Sequence, residues 1–200
     1  MKTPKTRRGQ VSRGKILETA AQLFHRRGVN ATSVDDILDH AQMGKSQFYH
    51  YFETKEELVA SVVDLQINRI LDYLTPWAEC METWDDLKEW CHAYVRLSES
   101  TDKLGCPVGV IAADATPDSQ MVTTRVQEAF YRWVGLLVQG LSRLKQRGVF
   151  SEAFDPESAA RFAGAVIQGG LLLTRAFRDA SHLESATGHF MTYLETYRAG

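Results

Sequence analysis

Apolar residues recur at spacings of three and four along almost the whole chain, alternating β-branched runs are few, and the punctuation is of the helix-ending kind, with Gly after a segment and Ser, Thr or Asp before it. That pattern predicts an all-α fold of about nine helices. With 44% hydrophobic and 24% charged residues over 200 positions, the chain has enough apolar surface to build a core, which excludes a disordered, collagenous or disulfide-scaffold protein. The length suits two domains, one of them small.

The spacing predicts a first helix over residues 12–27, with Ile16, Ala20, Leu23 and Phe24 facing inward and Gly28 supplying a left-handed C-terminal residue. A short helix follows, capped by Thr32 or Ser33 and ending near Gln42, then a second short one over residues 45–51. Thr54 and Glu57 form a capping box that opens a fourth helix, which Pro76 is expected to stop near Leu74. Further helices are expected over residues 83–100 and 106–115, from Asp118 or Ser119 to Gly148, from the Asp155-Pro156 start to about Asp179, and over residues 183–198. The domains read as a flexible basic arm at 1–11, a small helical domain at 12–56 and a larger helical domain at 57–200, without a flexible linker.

The net charge of −2 hides a segregation. Residues 1–52 carry nine Lys and Arg against four acids, so the rest of the chain is acidic, a distribution that suits a polyanion at one end only. Arg132, Gln139, Arg143, Gln168 and Arg175 interrupt the most apolar stretches, so no membrane span is expected. The basic N-terminus has no apolar run behind it, and the three cysteines (Cys80, Cys91, Cys106) cannot all pair within one chain. A soluble protein of the reducing cytoplasm is the expectation.

Two short helices joined by a three-residue turn have the form of a helix-turn-helix, whose second helix enters a DNA major groove. Here that helix presents Lys45, Ser46, Gln47, Tyr49 and His50, donors suited to base edges and phosphates, while Phe48 holds it onto its support. Lys55 adds a cation at the start of the fourth helix, where backbone amides already favour an anion. Arg7, Arg8, Arg13 and Lys15 could follow the backbone or minor groove from the arm.

Thr32-Ser33-Val34-Asp35-Asp36-Ile37, then Ala41, then Lys45-Ser46-Gln47-Phe48-Tyr49-His50-Tyr51-Phe52 and Lys55-Glu56-Glu57-Leu58 resemble the DNA-binding domain of TetR-family transcriptional repressors, over about residues 12–60. Gln42, Gly44 and Ser46 depart from the family's usual Gly, its Ser or Thr cap, and its frequent Gly. The resemblance implies contacts to a double-stranded DNA operator from Ser33, Lys45, Ser46, Gln47, Tyr49, His50 and Lys55, and a repressor rather than an enzyme. It also implies a homodimer whose last two helices form the interface, with Val166, Gly170, Thr174, Phe177, Phe190 and Leu194 as candidates and Gly169-Gly170 as a place for close helix approach.

A sensor of this type needs a cavity for a small-molecule effector. Candidates are Trp90, Tyr94, Phe130, Trp133, Leu137 and Leu172, joined by Gln168 and Arg175, polar groups in an apolar helix whose burial demands partners. The stretch Lys103-Leu104-Gly105-Cys106-Pro107-Val108-Gly109 resembles a TetR subgroup that responds to hydrophobic aromatic compounds, including plant flavonoids and antibiotics. Cys106, just before a helix start, is either a ligand contact, a buried structural thiol, or a redox or electrophile sensor that replaces ligand sensing. A helical enzyme with an incidental helix-turn-helix is the remaining alternative, but no phosphate loop or nucleophile motif occurs. The six histidines form no ligand pair at helical spacing, so neither metal nor cofactor is expected.

Overall fold

A computed structural model describes residues 4, 6–99, 105–116 and 119–199, and the described residues form nine α-helices. These are α1 (Arg7–Arg27), α2 (Val34–Ala41), α3 (Lys45–Tyr51), α4 (Lys55–Glu79), α5 (Trp84–Glu99), α6 (Pro107–Asp114), α7 (Gln120–Gln146), α8 (Pro156–Phe177) and α9 (Ser181–Glu195). The all-α expectation holds. Residues Lys103, Leu104 and Asp118 of the sequence reading lie outside the described residues. Among those described, no helix is long and apolar enough to cross a membrane.

Two compact units emerge, one comprising Met1–Asn68 with Pro107–Ala129, the other Arg69–Cys106 with Phe130–Gly200. In the first, α1, α2 and α3 share a small core of Ile16, Ala20, Phe24, Ile37, Ala41, Phe48 and Phe52, all shut off from solvent. Each large side chain in it contributes roughly 1.5 to 3 kcal/mol of burial. This unit is larger than the expected 12–56, because α6 packs on α1 and is bonded to the loop that follows it.

The first helix begins at Arg7, earlier than Ser12, since the Thr6 hydroxyl accepts the Gly9 amide N–H at 3.1 Å and caps the helix there. The described part of the expected arm from Arg7 onward is therefore helical. Gly28 ends α1 with φ +85° and ψ 165°, a positive-φ conformation but not the left-handed helical one expected. Pro76 does not stop α4: the Cys80 N–H reaches the Pro76 carbonyl at 3.2 Å and the helix runs to Glu79, a proline removing one donor without ending the ladder. Gln42, φ +54°, takes up the left-handed position between α2 and α3, with the Met43 N–H closing onto the Leu38 carbonyl at 2.9 Å.

In the second unit α8 and α9 pack face to face. Gly170 permits the approach: a Cβ there would lie 3.0 to 3.1 Å from Leu183 and Ala186 of α9. The last helix ends at Glu195, short of the expected Arg198, because the chain turns into a bridge with the loop before α8. Ser151 N–H donates to the Tyr197 carbonyl at 2.8 Å and Ala199 N–H to that of Val149 at 3.0 Å. Asp155 caps α8 through the amides of Glu157 and Ser158, with Pro156 at the first helical position.

Candidate functional site

The short helix α3 is held by its underside. Phe48 and Tyr51 are buried, Phe52 follows them into the core, and the Phe48 and Phe52 rings lie 5.7 Å apart. Lys45, Ser46, Gln47, Tyr49 and His50 are all exposed on the same helix. The site is thus a rigid apolar mount with a polar outer face, the arrangement a major-groove reader requires.

Several expected contact residues already have partners. Ser33 caps α2, its hydroxyl accepting the Asp36 N–H at 3.0 Å and donating to the Asp36 carboxylate, which also accepts the Ser33 N–H at 2.8 Å. The Ser33 side-chain and backbone bonds hold the Asp36 carboxyl below its ordinary range. A lowered carboxylate stabilises the fold above its unfolded value and loses that contribution as pH falls through its folded one, so this cap belongs to neutral pH and persists into mild acid. Gln47 accepts the Gly44 N–H at 3.1 Å through Oε1, which caps α3 where the family's Ser or Thr is missing and leaves its amide NH2 as the available donor.

Lys45 is paired across the turn with Asp35, Nζ lying 2.9 and 3.0 Å from the two carboxylate oxygens, and this pairing raises the ammonium above its ordinary range. Both side chains are exposed, so water screens the pair and a DNA phosphate or base can compete for the ammonium. Lys55 differs. Its Nζ donates to the Val29 carbonyl at 2.7 Å, and partial burial lowers it against the pull of Asp114 and Asp36. Its first role is to hold the α1–α2 loop, with two ammonium hydrogens left for an anion. Arg13, expected on the arm, lies on α1 with its guanidinium 5.0 Å from the Phe52 ring centre and Nη2 3.4 Å from Ser61 Oγ.

Asp114 is the residue that sequence reasoning passed over. From the end of α6 its Oδ2 accepts the Val29 N–H at 2.6 Å and the Asn30 N–H at 3.3 Å, and its carbonyl accepts from Asn30 Nδ2 at 3.3 Å. Nothing in the local pattern around Asp114 signals partners 85 positions away.

In the second unit Trp90, Tyr94, Trp133 and Leu137 are buried together, with Tyr94 between the two indoles at ring distances of 5.7 and 5.8 Å. Complete burial pushes the Tyr94 hydroxyl well up, so it remains protonated. Cys106 is buried, Phe130, Gln168 and Arg175 are half-buried, and Leu172 is 66% exposed. The placement of Leu172 corrects its assignment to the cavity. Trp90 Nε1, Trp133 Nε1, Thr174 Oγ1 and Arg175 Nη1 are buried without a hydrogen-bond partner.

The expected dimer residues divide. Gly170, Thr174, Phe190 and Leu194 are buried inside the chain's own packing, because α9 covers that side of α8. Val166 is half-buried and Phe177 is exposed, on the flank of the same apolar stripe with Phe162 and Leu173. Leu172 lies beside that stripe. Burial pushes the Cys91 thiol up to about 12. N-ethylmaleimide at about pH 8 is therefore expected to modify exposed Cys80 and leave Cys91 untouched in the folded protein, as peptide mass spectrometry would show; rapid labelling of Cys91 would contradict its burial.

Two family models match the chain. The family model for bacterial regulatory proteins, tetR family, matches residues 16–62, and that for the tetracyclin repressor-like C-terminal domain matches residues 84–190. The chain is 30% identical over 179 residues to the HTH-type transcriptional regulator LmrA of Bacillus subtilis, covering 86% of this chain and 90% of that one. It is 24% identical over 169 residues to the HTH-type transcriptional repressor DhaR of a Mycobacterium species, covering 84% and 85%. The crystal structure of a TetR transcriptional regulator from Chloroflexus aurantiacus superposes with a TM-score of 0.85 at 23% identity, over 98% of this chain and all of that one. A head that presents α3 on an aromatic mount, carried with a C-terminal domain of this kind, makes the chain a member of the tetR family of bacterial regulatory proteins, which act on DNA through a helix-turn-helix and not as enzymes.

Proposed function

We propose that this protein is a cytoplasmic homodimeric repressor that grips a palindromic operator with two copies of α3, roughly 34 Å apart or one duplex turn, and leaves it when a small hydrophobic or aromatic effector binds the second unit. The observation that carries the DNA half is the exposed polar face of α3 over buried Phe48, Tyr51 and Phe52. The effector half is supported by three buried aromatic rings beside polar atoms that lack partners. The dimer is supported by the exposed stripe of Phe162, Leu173 and Phe177 on α8, too apolar to be left in water without purpose.

Effector binding acts on DNA only if the released form binds it more tightly. Cys106, in the effector cluster, is followed directly by Pro107, the first residue of α6, and Asp114 at the other end of α6 holds the loop that leads into α2. A shift of α6 thus reaches the loop before α2 through two hydrogen-bonded amides.

Selection of duplexes from a random pool, followed by a compound screen for release, tests the whole reading. A protein indifferent to every duplex at low salt would end it. Lys45→Ala is expected to weaken the selected operator about ten-fold or more while leaving non-specific duplex binding less affected, as a base contact requires. Asp35→Ala, which releases the same ammonium, is expected to strengthen binding. Equal losses on all sequences would make Lys45 a phosphate contact.

A further inference from the structure

Three of the four unpartnered buried side-chain atoms described in the second unit can only donate. An indole nitrogen only donates, a guanidinium only donates, and a hydroxyl does either. Trp90 Nε1, Trp133 Nε1 and Arg175 Nη1 are therefore three donors without an acceptor, and Thr174 Oγ1 is a fourth unpartnered atom. Trp90 and Trp133 are at most 2% exposed, Thr174 is not exposed at all, and Arg175 Nη1 is buried. Leaving such donors dry and unpaired is costly, most of all for the charged one.

Their placement is extended. Trp133 touches α8 at Gly164, where a Cβ would lie 3.3 Å from its ring, and Arg175 lies further along the same helix, its stem packed against Gly105. From Gly164 to Arg175 is roughly 16 Å of helix. Tyr94 joins the two indoles, tilted at 52° to Trp90 and edge to face with Trp133, and supplies a ring surface between them.

We infer that the effector is an elongated aromatic acid: fused or linked rings lying against Trp90, Tyr94 and Trp133, acceptor oxygens meeting the indole N–H groups, and an anionic oxygen on the Arg175 guanidinium. The inference rests on the reading of this unit as the effector site and adds the ligand's charge and length. A neutral hydrocarbon would bury the same donors without satisfying them, so it is selected against by the site itself.

The test uses the full-length protein with anthracene-2-carboxylate and anthracene-2-carboxamide, followed by quenching of tryptophan fluorescence and by release of a selected operator. The carboxylate is expected to bind about 10- to 100-fold more tightly than the amide, as a charge-assisted bond requires. Arg175→Gln should abolish that preference and Arg175→Lys should keep most of it. Trp133→Phe, which retains the ring and loses the donor, should weaken both ligands. Circular dichroism distinguishes these effects from misfolding. Equal binding of acid and amide by the wild-type protein, or a preference that survives Arg175→Gln, overturns the inference and leaves effector binding itself standing. Absence of binding by either probe also overturns it, whereas the effector reading falls only when no compound in a broad screen releases the operator.

Discussion

Leu173→Glu is expected to leave a folded monomer whose operator affinity is at least about 100-fold lower. Leu173 is 44% exposed at the middle of a stripe that runs from Phe162 through Val166 and Gly169 to Phe177. Gly169 meets nothing within contact distance, so the middle of the stripe is open in the single chain, while Phe162 and Phe177 at its ends meet rings of α9. In a two-fold dimer the same patch serves both subunits, so one substitution places two carboxylates in one apolar seam. Burying an unpaired charge costs several kcal/mol, and about 2.7 kcal/mol is already a 100-fold change in association. The variant chain itself loses little, because the position is half in water. Sedimentation would read the monomer, operator titration the lost affinity, and thermal melting the intact fold. An unchanged dimer would place the interface elsewhere.

That stripe also shows where sequence reading stops. Helix existence and most caps were legible: Asp155 before Pro156 and Thr54 with Glu57 sit where local hydrogen bonding puts them. So was the aromatic underside of α3, since Phe48, Tyr51 and Phe52 have no other face to occupy. Helix α8, however, carries one wide apolar stripe. Periodicity places Val166, Gly170, Thr174 and Phe177 together in that stripe, but cannot tell which part of it α9 of the same chain covers. The Gly169-Gly170 pair was read as a place of close approach in the dimer, and the helix that approaches Gly170 is the chain's own.

The same limit applies to donors and acceptors. Arg175 stood out as a polar residue in an apolar helix, and its Nη1 is indeed buried without a partner. Trp90 and Trp133 gave no comparable signal, because an indole reads as a ring until its nitrogen is seen to lack an acceptor. Lys55 was legible as a cation at a helix start, but not as the donor to Val29, since that bond spans 26 positions.

Gly28→Ala is expected to be the most damaging single-methyl change in the head, and the reason is Asp114. The backbone at Gly28, φ +85° and ψ 165°, is a conformation that costs other residues about 1 to 3 kcal/mol. The added Cβ would also lie 2.6 Å from Asp114 Oδ2, the atom that accepts the Val29 and Asn30 amides. Moving that carboxylate gives up charge-assisted bonds of roughly 1.5 to 3 kcal/mol each. With one of the two bonds lost the total reaches about 2.5 to 6 kcal/mol, a fall in melting temperature on the order of 10 °C for a protein of this size. Asp114→Ala alone loses the bonds but not the backbone geometry. In the double variant the collision is gone, so Gly28→Ala then costs only its backbone strain, and a double-mutant cycle should return a coupling of roughly 1 to 3 kcal/mol. Strict additivity would mean that the two residues do not meet. The cycle also separates stability from signalling. If α6 transmits effector binding through Asp114, the Asp114→Ala protein will still bind its operator and will require more effector to let go, while a purely structural role would weaken operator binding and leave the effector response unchanged.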